Sequence, residues 1–294
     1  MKINPKNTKY LEWVAMAFLL FGTLRLSREW TLMENLKPTT PEEKYLMFAG
    51  IIVMIFVALA AHELGHLITG LLEGFRFELF VVGPLGIKRD GDQIKLYFNK
   101  NLGHYGGVAA TSPVDDQPDN ARKLARVLLA GPLASILFAV FCFWLANLAG
   151  KPLGFSLYTG GVISVAIFFA TTVPSRTGMF FTDRKRYQRL VKPGKDQDVE
   201  LAMLKILGRF SRDGSYKQVD QKDIELLVND DLPFVKFMGL FNLICFQLEH
   251  FGEVPEDTVR QYRAIAGQMS KNVVLLFDRE IENYREKFVG MNAE

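Results

Sequence analysis

Residues 62 to 66 read His-Glu-Leu-Gly-His, a spacing that can build a metal site on one helix. Side chains four residues apart share a helix face, so His62 and His66 can offer imidazole nitrogens to one ion. Zinc held by two histidines and a third protein ligand keeps a position open for water, lowers the pKa of that water and polarises a carbonyl group. Glu63 would lie beside the ion and accept the proton of the water. The motif therefore predicts a zinc hydrolase.

The motif lies within Tyr45 to Leu72, the most apolar run of the chain. Ionisable side chains inside a membrane span are costly and are usually there for function. Here His62, Glu63 and His66 cluster on about one helical turn of that run. Their position favours a metal site working within a membrane over a chance match to the motif.

The composition indicates a membrane protein with a soluble part. Apolar residues make up 49% of the chain and charged residues 23%, with a mean hydropathy of +0.10. The charges are segregated: Val127 to Gly150 carries none, whereas residues 183–294 carry many. A net charge of +3, without basic clusters among aromatic residues, argues against a nucleic-acid partner. The two cysteines, Cys142 and Cys245, are too few for a disulfide framework.

The hydropathy pattern predicts a mainly α, polytopic membrane protein with about four transmembrane helices. The first candidate is short and is interpreted as a retained anchor rather than a signal peptide. Lys and Arg residues follow the second and fourth candidates, which predicts that these ends and both termini are cytoplasmic. The four candidates are Tyr10–Leu24, Tyr45–Leu72, Leu124–Gly150 and Phe155–Thr172.

The depth of the motif limits where a third ligand can come from. His62 follows Tyr45 by 17 residues, about 25 Å along a helix, which places the metal near the cytoplasmic face. Asp183 follows the last candidate span and the helix-breaking Pro174, so it reaches the same level. A second interpretation is that Asp183 only caps the helix that begins at Arg184. Spacing alone leaves both interpretations open.

These residues resemble the site-2 protease family of intramembrane zinc metalloproteases, over roughly residues 45–190. The His-Glu-Leu-Gly-His helix matches the first family motif. The second has an Asn, a Pro three residues later and an Asp-Gly pair beyond, and here Thr171, Pro174 and Asp183 occupy those places. The resemblance implies one Zn²⁺ per chain with Asp183 as third ligand, and substrate contacts at Thr171 and Pro174. Thr171 replaces the family Asn and Arg184 the Gly, which suggests an altered substrate range.

The family also has a membrane-associated β-hairpin and a Gly-Gly turn between the corresponding spans. Residues 75–80 and 94–98 alternate as strands about a turn at 89–92. Gly106 and Gly107 follow and are predicted to contact substrate. Such a strand edge can pair with an unwound substrate segment, although a hairpin that only packs against the spans is an equal alternative. His104 is interpreted as a surface histidine rather than a ligand.

Three domains are predicted. Residues 1–44 form an anchor helix and external loop, and residues 45–182 form the membrane-embedded protease core with the hairpin loop at 73–123. Residues 183–294 begin with the proposed ligand and continue as a cytoplasmic helical domain for regulation or partner binding, because apolar residues recur there every three or four positions.

The predicted function is hydrolysis of a peptide bond within or next to a transmembrane segment, releasing a regulator or signal. By resemblance, the expected location is a bacterial cytoplasmic membrane, and the expected partners are the lipid bilayer and a membrane-protein or membrane-peptide substrate. One alternative is a noncatalytic adaptor that binds transmembrane helices. Another is a proton or metal-ion transporter, which four spans without an inverted repeat disfavour.

Overall fold

The computed structural model describes residues 36, 38–91, 93–177 and 180–289, so the first predicted span, Tyr10–Leu24, lies outside the described residues. Within them the fold is mainly helical, with a four-stranded and a two-stranded antiparallel sheet. The helices are α1 (Pro41–Leu72), α2 (Asn120–Leu148), α3 (Leu153–Thr172), α4 (Asp183–Val191), α5 (Lys195–Asp213), α6 (Gln221–Val228), α7 (Pro233–Phe251), α8 (Glu256–Ala266) and α9 (Lys271–Val289).

Helices α1, α2 and α3 are each long and apolar enough to cross a membrane, and they pack against one another. Their outward faces expose large apolar side chains, including Phe48 and Trp144, as expected where lipid replaces water. Three of the four predicted spans are therefore present among the described residues.

Small residues let α1 and α2 approach closely. A side-chain carbon on Gly65 would lie 2.6 Å from the backbone oxygen of Ala130 and 2.6 Å from the Ala134 methyl group. Close contact of this kind is a usual source of helix association in lipid, where no hydrophobic force drives helices together. The contact lies inside the histidine motif and fixes its level against α2.

The loop between α1 and α2 forms a four-stranded sheet rather than the single predicted hairpin. Its strands are β1 (Arg76–Val82), β2 (Leu85–Asp90), β3 (Gln93–Phe98) and β4 (Val108–Ser112), in the order β3-β2-β1-β4. The predicted pairing of residues 75–80 with 94–98 was wrong, because β2 lies between them. Two glycines explain this: Gly83 has φ +56° and turns the chain before β2, and Gly91 has φ +61° and turns it again.

The helices after α3 form a second packed region whose apolar residues make two buried clusters. The helices predicted here from the spacing of apolar residues are present, α5 and α7 among them. Helix α5 also docks on the membrane core. Leu204 joins a buried cluster with Leu124 and Leu128, and the Arg209 Nε atom lies 2.8 Å from Asp116 Oδ2. The predicted limits of the three domains remain a prediction.

Gly65→Ala is expected to destabilise the protein by about 1–3 kcal/mol, because the new methyl group meets a backbone oxygen that cannot move aside. The midpoint of thermal unfolding of the detergent-purified protein should fall by several degrees. Gly150→Ala is the control, since a side-chain carbon there has no atom within 4 Å. Equal midpoints for the two variants would contradict close packing of α1 on α2.

Candidate metal centre

The side chains of His62, His66 and Asp183 converge on one point although their elements are far apart in sequence. Both imidazole Nε2 atoms lie 3.3 Å from Asp183 Oδ2. One ligand atom from each of these three residues lies within 4.8 Å of the ligand atoms of the other two. In the described part of the chain, this is the one group of His, Cys, Asp and Glu side chains able to hold a metal ion.

A hydrogen-bond partner lies at the Nδ1 atom of each ring, and the Nε2 atom of each ring lies beside Asp183. His66 Nδ1 lies 2.7 Å from the backbone oxygen of Val127, an acceptor, so Nδ1 carries the proton and Nε2 a lone pair. His62 Nδ1 lies 2.9 Å from Ser135 Oγ. Contacts of this kind orient metal-bound histidines and set their tautomer.

Asp183 Oδ2 is buried and has no hydrogen-bond partner. A buried acceptor without a donor is costly, and the lone pair of His66 Nε2 directed towards it adds repulsion. A divalent cation would satisfy the carboxylate and both nitrogens together, so these residues fit zinc bound by two histidines and a carboxylate.

Asp183 is placed by a short turn after α3. Thr182 accepts a hydrogen bond from the Ser175 backbone N–H at 3.1 Å and donates one to the Val173 carbonyl at 2.9 Å. The two-residue strands β5 (Arg176–Thr177) and β6 (Phe180–Phe181) pair within the same turn. Thr182 is the N-cap of α4 and Asp183 its first residue. Asp183 is therefore not the capping residue, and its carboxylate faces the histidines.

The three ligand candidates open into a cavity of about 630 Å³. Glu63 lines it, and so do Gly106, Gly107, Thr171 and residues 108–111 of β4. Gly107 has φ +95°, and a side-chain carbon there would lie 2.8 Å from Glu63 Oε1. This glycine thus leaves room for the carboxylate of Glu63 between β4 and the histidines.

The predicted substrate residues differ in where they lie. Gly106, Gly107 and Thr171 line the cavity, whereas Pro174 does not. The Thr171 hydroxyl donates to the backbone oxygens of Ile167 at 3.1 Å and Phe168 at 3.3 Å. The hydroxyl hydrogen is therefore used within α3, so that the hydroxyl has only acceptor capacity left for another partner. The substrate roles of these residues remain predictions.

Two other residues named from sequence lie away from the ligand group. His104 Nε2 lies 3.2 Å from Asn101 Nδ2, which ties it to its own loop. The guanidinium of Arg184, which replaces the glycine of the family motif, lies 5.7 Å from the ring centre of Tyr187. Neither residue lines the cavity.

Sequence reasoning missed three contributions from α2. Besides Ser135 and the Val127 carbonyl, Gly131 supplies space, since a side-chain carbon there would lie 2.2 Å from His66 Nε2. Residues 130–135 are rich in small side chains, and such a pattern by itself indicates only close packing of helices. The signal available in the sequence was a serine within an apolar candidate span, because a hydroxyl buried there needs a hydrogen-bond partner.

A family model described as peptidase family M50 matches residues 50–282 of the chain. No curated protein and no solved structure matches it.

Ser135→Ala is expected to weaken zinc binding about tenfold, because loss of a hydrogen bond that orients a ligand histidine has an effect of this order. The measurement is zinc competition against a chelator with the purified protein. Ser156→Ala is the matched control: Ser156 is also buried in a span, but its hydroxyl donates to its own helix at Pro152. Unchanged affinity in Ser135→Ala would mean that Ser135 does not orient His62.

Proposed function

This chain belongs to peptidase family M50, the site-2 protease family, and from that membership we propose that it is a zinc endopeptidase acting at transmembrane segments. Membership together with the three apolar helices already makes it a membrane metalloprotease in general terms. The finer proposal is that it cuts a peptide bond within or next to a membrane-spanning segment of a protein or peptide precursor. The cut releases a regulator or a signal.

One observation carries the proposal. His62, His66 and Asp183 converge beside Glu63 in a cavity formed between membrane-spanning helices and a β-strand. An adaptor that only binds transmembrane helices has no need of a buried carboxylate without a donor. The intact Glu63, with Gly107 leaving space for it, supports an enzyme over the adaptor alternative.

The proposed mechanism assigns a role to each side chain. His62, His66 and Asp183 hold the ion. Zinc, when bound, supplies an acidified water and polarises the scissile carbonyl group. Glu63 takes the proton of the attacking water on its carboxylate and then gives it to the leaving amine. Val127 and Ser135 keep the imidazole rings in place throughout.

Substrate backbone is proposed to lie along β4. This strand is at the end of the sheet order, pairs with β1 on one side, and lines the cavity with residues 108–111. A transmembrane helix must unwind before its backbone can reach the ligands, and a strand edge offers hydrogen bonds to the freed N–H and C=O groups. Gly106 and Gly107 would keep the approach to Glu63 clear. The cytoplasmic position of this cavity and of both termini stays a prediction.

Glu63→Gln should abolish proteolysis, because an amide accepts no proton at neutral pH, and should leave the zinc content unchanged. The measurement compares the membrane proteomes of cells producing wild type or the variant. Uncleaved substrates should accumulate with the variant and be recovered as fragments with wild type. Identical proteomes together with an unchanged cellular phenotype would favour the adaptor.

Gly107→Ala should reduce cleavage of a substrate found in that comparison by at least tenfold. Its methyl group would press on Glu63, and φ +95° is strained for any residue with a side-chain carbon. Gly74→Ala is the control, since Gly74 also has a positive φ of +81° but an added side-chain carbon there would have no atom within 4 Å, and Gly74 does not line the cavity. Zinc content should stay constant in both variants, and equal cleavage by both would contradict the proposed contact of Gly107 with Glu63.

A further inference from the structure

The third ligand candidate is carried by a very short helix. Helix α4 has nine residues, and a helix of that length has little stability of its own. The turn at Thr182 holds its first residue, but the direction of the helix depends on what its other end contacts. Leu190 packs into the buried cluster against α2, and Arg189 faces α5.

Arg189 forms the most buried set of ion pairs on this helix. Its side chain is 4% exposed. Its Nε atom donates to Glu200 Oε1 at 2.9 Å and its Nη1 atom to Asp196 Oδ1 at 2.7 Å. Asp230 Oδ2 lies 3.9 Å from Nη2, and the ring of Phe181 lies 4.8 Å from the guanidinium carbon. Arg189 is thus held by α5, by the loop between α6 and α7 and by the strand that precedes Asp183.

Glu200 contacts α4 at a second point. Besides Arg189, its carboxylate lies 3.6 Å from the Nε atom of Arg186, one turn earlier on α4. Two guanidinium groups on successive turns therefore meet one buried carboxylate of α5. The planar guanidinium accepts partners only in fixed directions, so this arrangement limits rotation of α4 about its axis and sliding along it.

A buried ion pair contributes little stability over a well-packed apolar pair, because desolvation offsets the Coulomb attraction. What it supplies is one defined geometry. Arg189 lies at the end of α4 opposite Asp183, and rotation of α4 would turn the carboxylate away from His62 and His66. The buried ion pairs of Arg189 therefore lie on α4, the helix whose orientation decides where the Asp183 carboxylate points.

We propose that Arg189 is a positioning residue for zinc, through which the C-terminal helices hold Asp183 on the histidine pair. The inference rests on the proposed zinc site and adds a dependence of that site on α5. Anything that moves α5 away from α4 would release the third ligand. Arg189 itself does not touch the ion or the substrate.

The test is zinc affinity of the full-length protein in detergent, measured by chelator competition. Arg189→Met keeps much of the side-chain volume and removes the guanidinium group with its N–H donors. Glu200→Gln keeps the shape of the side chain and removes its charge. Each is expected to weaken zinc binding about tenfold, the order seen when residues supporting a ligand are changed. Arg189→Lys should bind zinc as weakly as Arg189→Met, because the point charge of an ammonium group cannot replace the directed donors of the planar guanidinium.

The matched control is Arg212→Met. Arg212 is on α5, pairs with Asp213 of the same helix at 2.9 Å and with Asp115 in the loop before α2 at 3.2 Å, and forms no ion pair with α4. It should bind zinc as wild type does. Circular dichroism and gel filtration of every variant separate loss of zinc affinity from unfolding, and Glu200→Gln keeps the test valid if Arg189→Met does not fold.

Wild-type affinity in both Arg189→Met and Glu200→Gln would overturn the inference while leaving the zinc site intact. A loss in Arg212→Met equal to that in Arg189→Met would also overturn it, since general docking of α5 would then be responsible. Asp183→Asn is measured alongside. If that variant keeps wild-type affinity, the ligand assignment itself fails, which distinguishes failure of the proposed site from failure of the positioning role.

Discussion

Two imidazole nitrogens each lie 3.3 Å from one carboxylate oxygen in the interior of a membrane protein, and that oxygen has no hydrogen-bond partner. In a medium of low dielectric, such a group is unfavourable unless a cation neutralises it. The surrounding helices and turns hold the three side chains in this arrangement. Helix α1 supplies His62 and His66 from successive turns, and a turn after α3 brings Asp183 to the same level.

Helix α2 and the sheet complete the environment that the ligands need. Ser135 and the Val127 carbonyl occupy the Nδ1 positions of the rings, which leaves Nε2 for the metal. Gly131 makes room for His66, and Gly107 makes room for Glu63. In both places a glycine lets the backbone lie close to a side chain of the site, His66 in the first case and Glu63 in the second. The buried ion pairs of Arg189 join α4, which carries Asp183, to the C-terminal helices, so the position of Asp183 depends on those helices as well.

Local spacing predicted the parts of the site that lie on one helix. His62, Glu63 and His66 follow from helical periodicity and from the cost of charge in an apolar run. Asp183 lies far along the chain, and spacing alone could not separate a ligand from a cap; resemblance to the family favoured the ligand. The structure places Asp183 with the histidines, while its role in binding zinc stays a proposal. The family match confirms the resemblance itself.

The sheet and the α2 contacts were beyond what sequence could give. Strand β2 has a glycine and three consecutive charged residues, so it lacks the alternation that marks a half-buried strand, and the turn at Gly83 went unrecognised. Ser135 and Gly131 act through contacts between spans, which no local pattern encodes. Three of the four predicted spans are helices long and apolar enough to cross a membrane, and the first predicted span lies outside the described residues.

Metal analysis of the detergent-purified protein tests the central claim most directly, because it requires no substrate. Wild type, His62→Ala and Asp183→Ala would be measured after loading with zinc and removal of excess. The account predicts one tightly held zinc per wild-type chain and loss of it in both variants. Zinc retained by Asp183→Ala, or a folded wild type that takes up no zinc, would contradict a site built from these three residues.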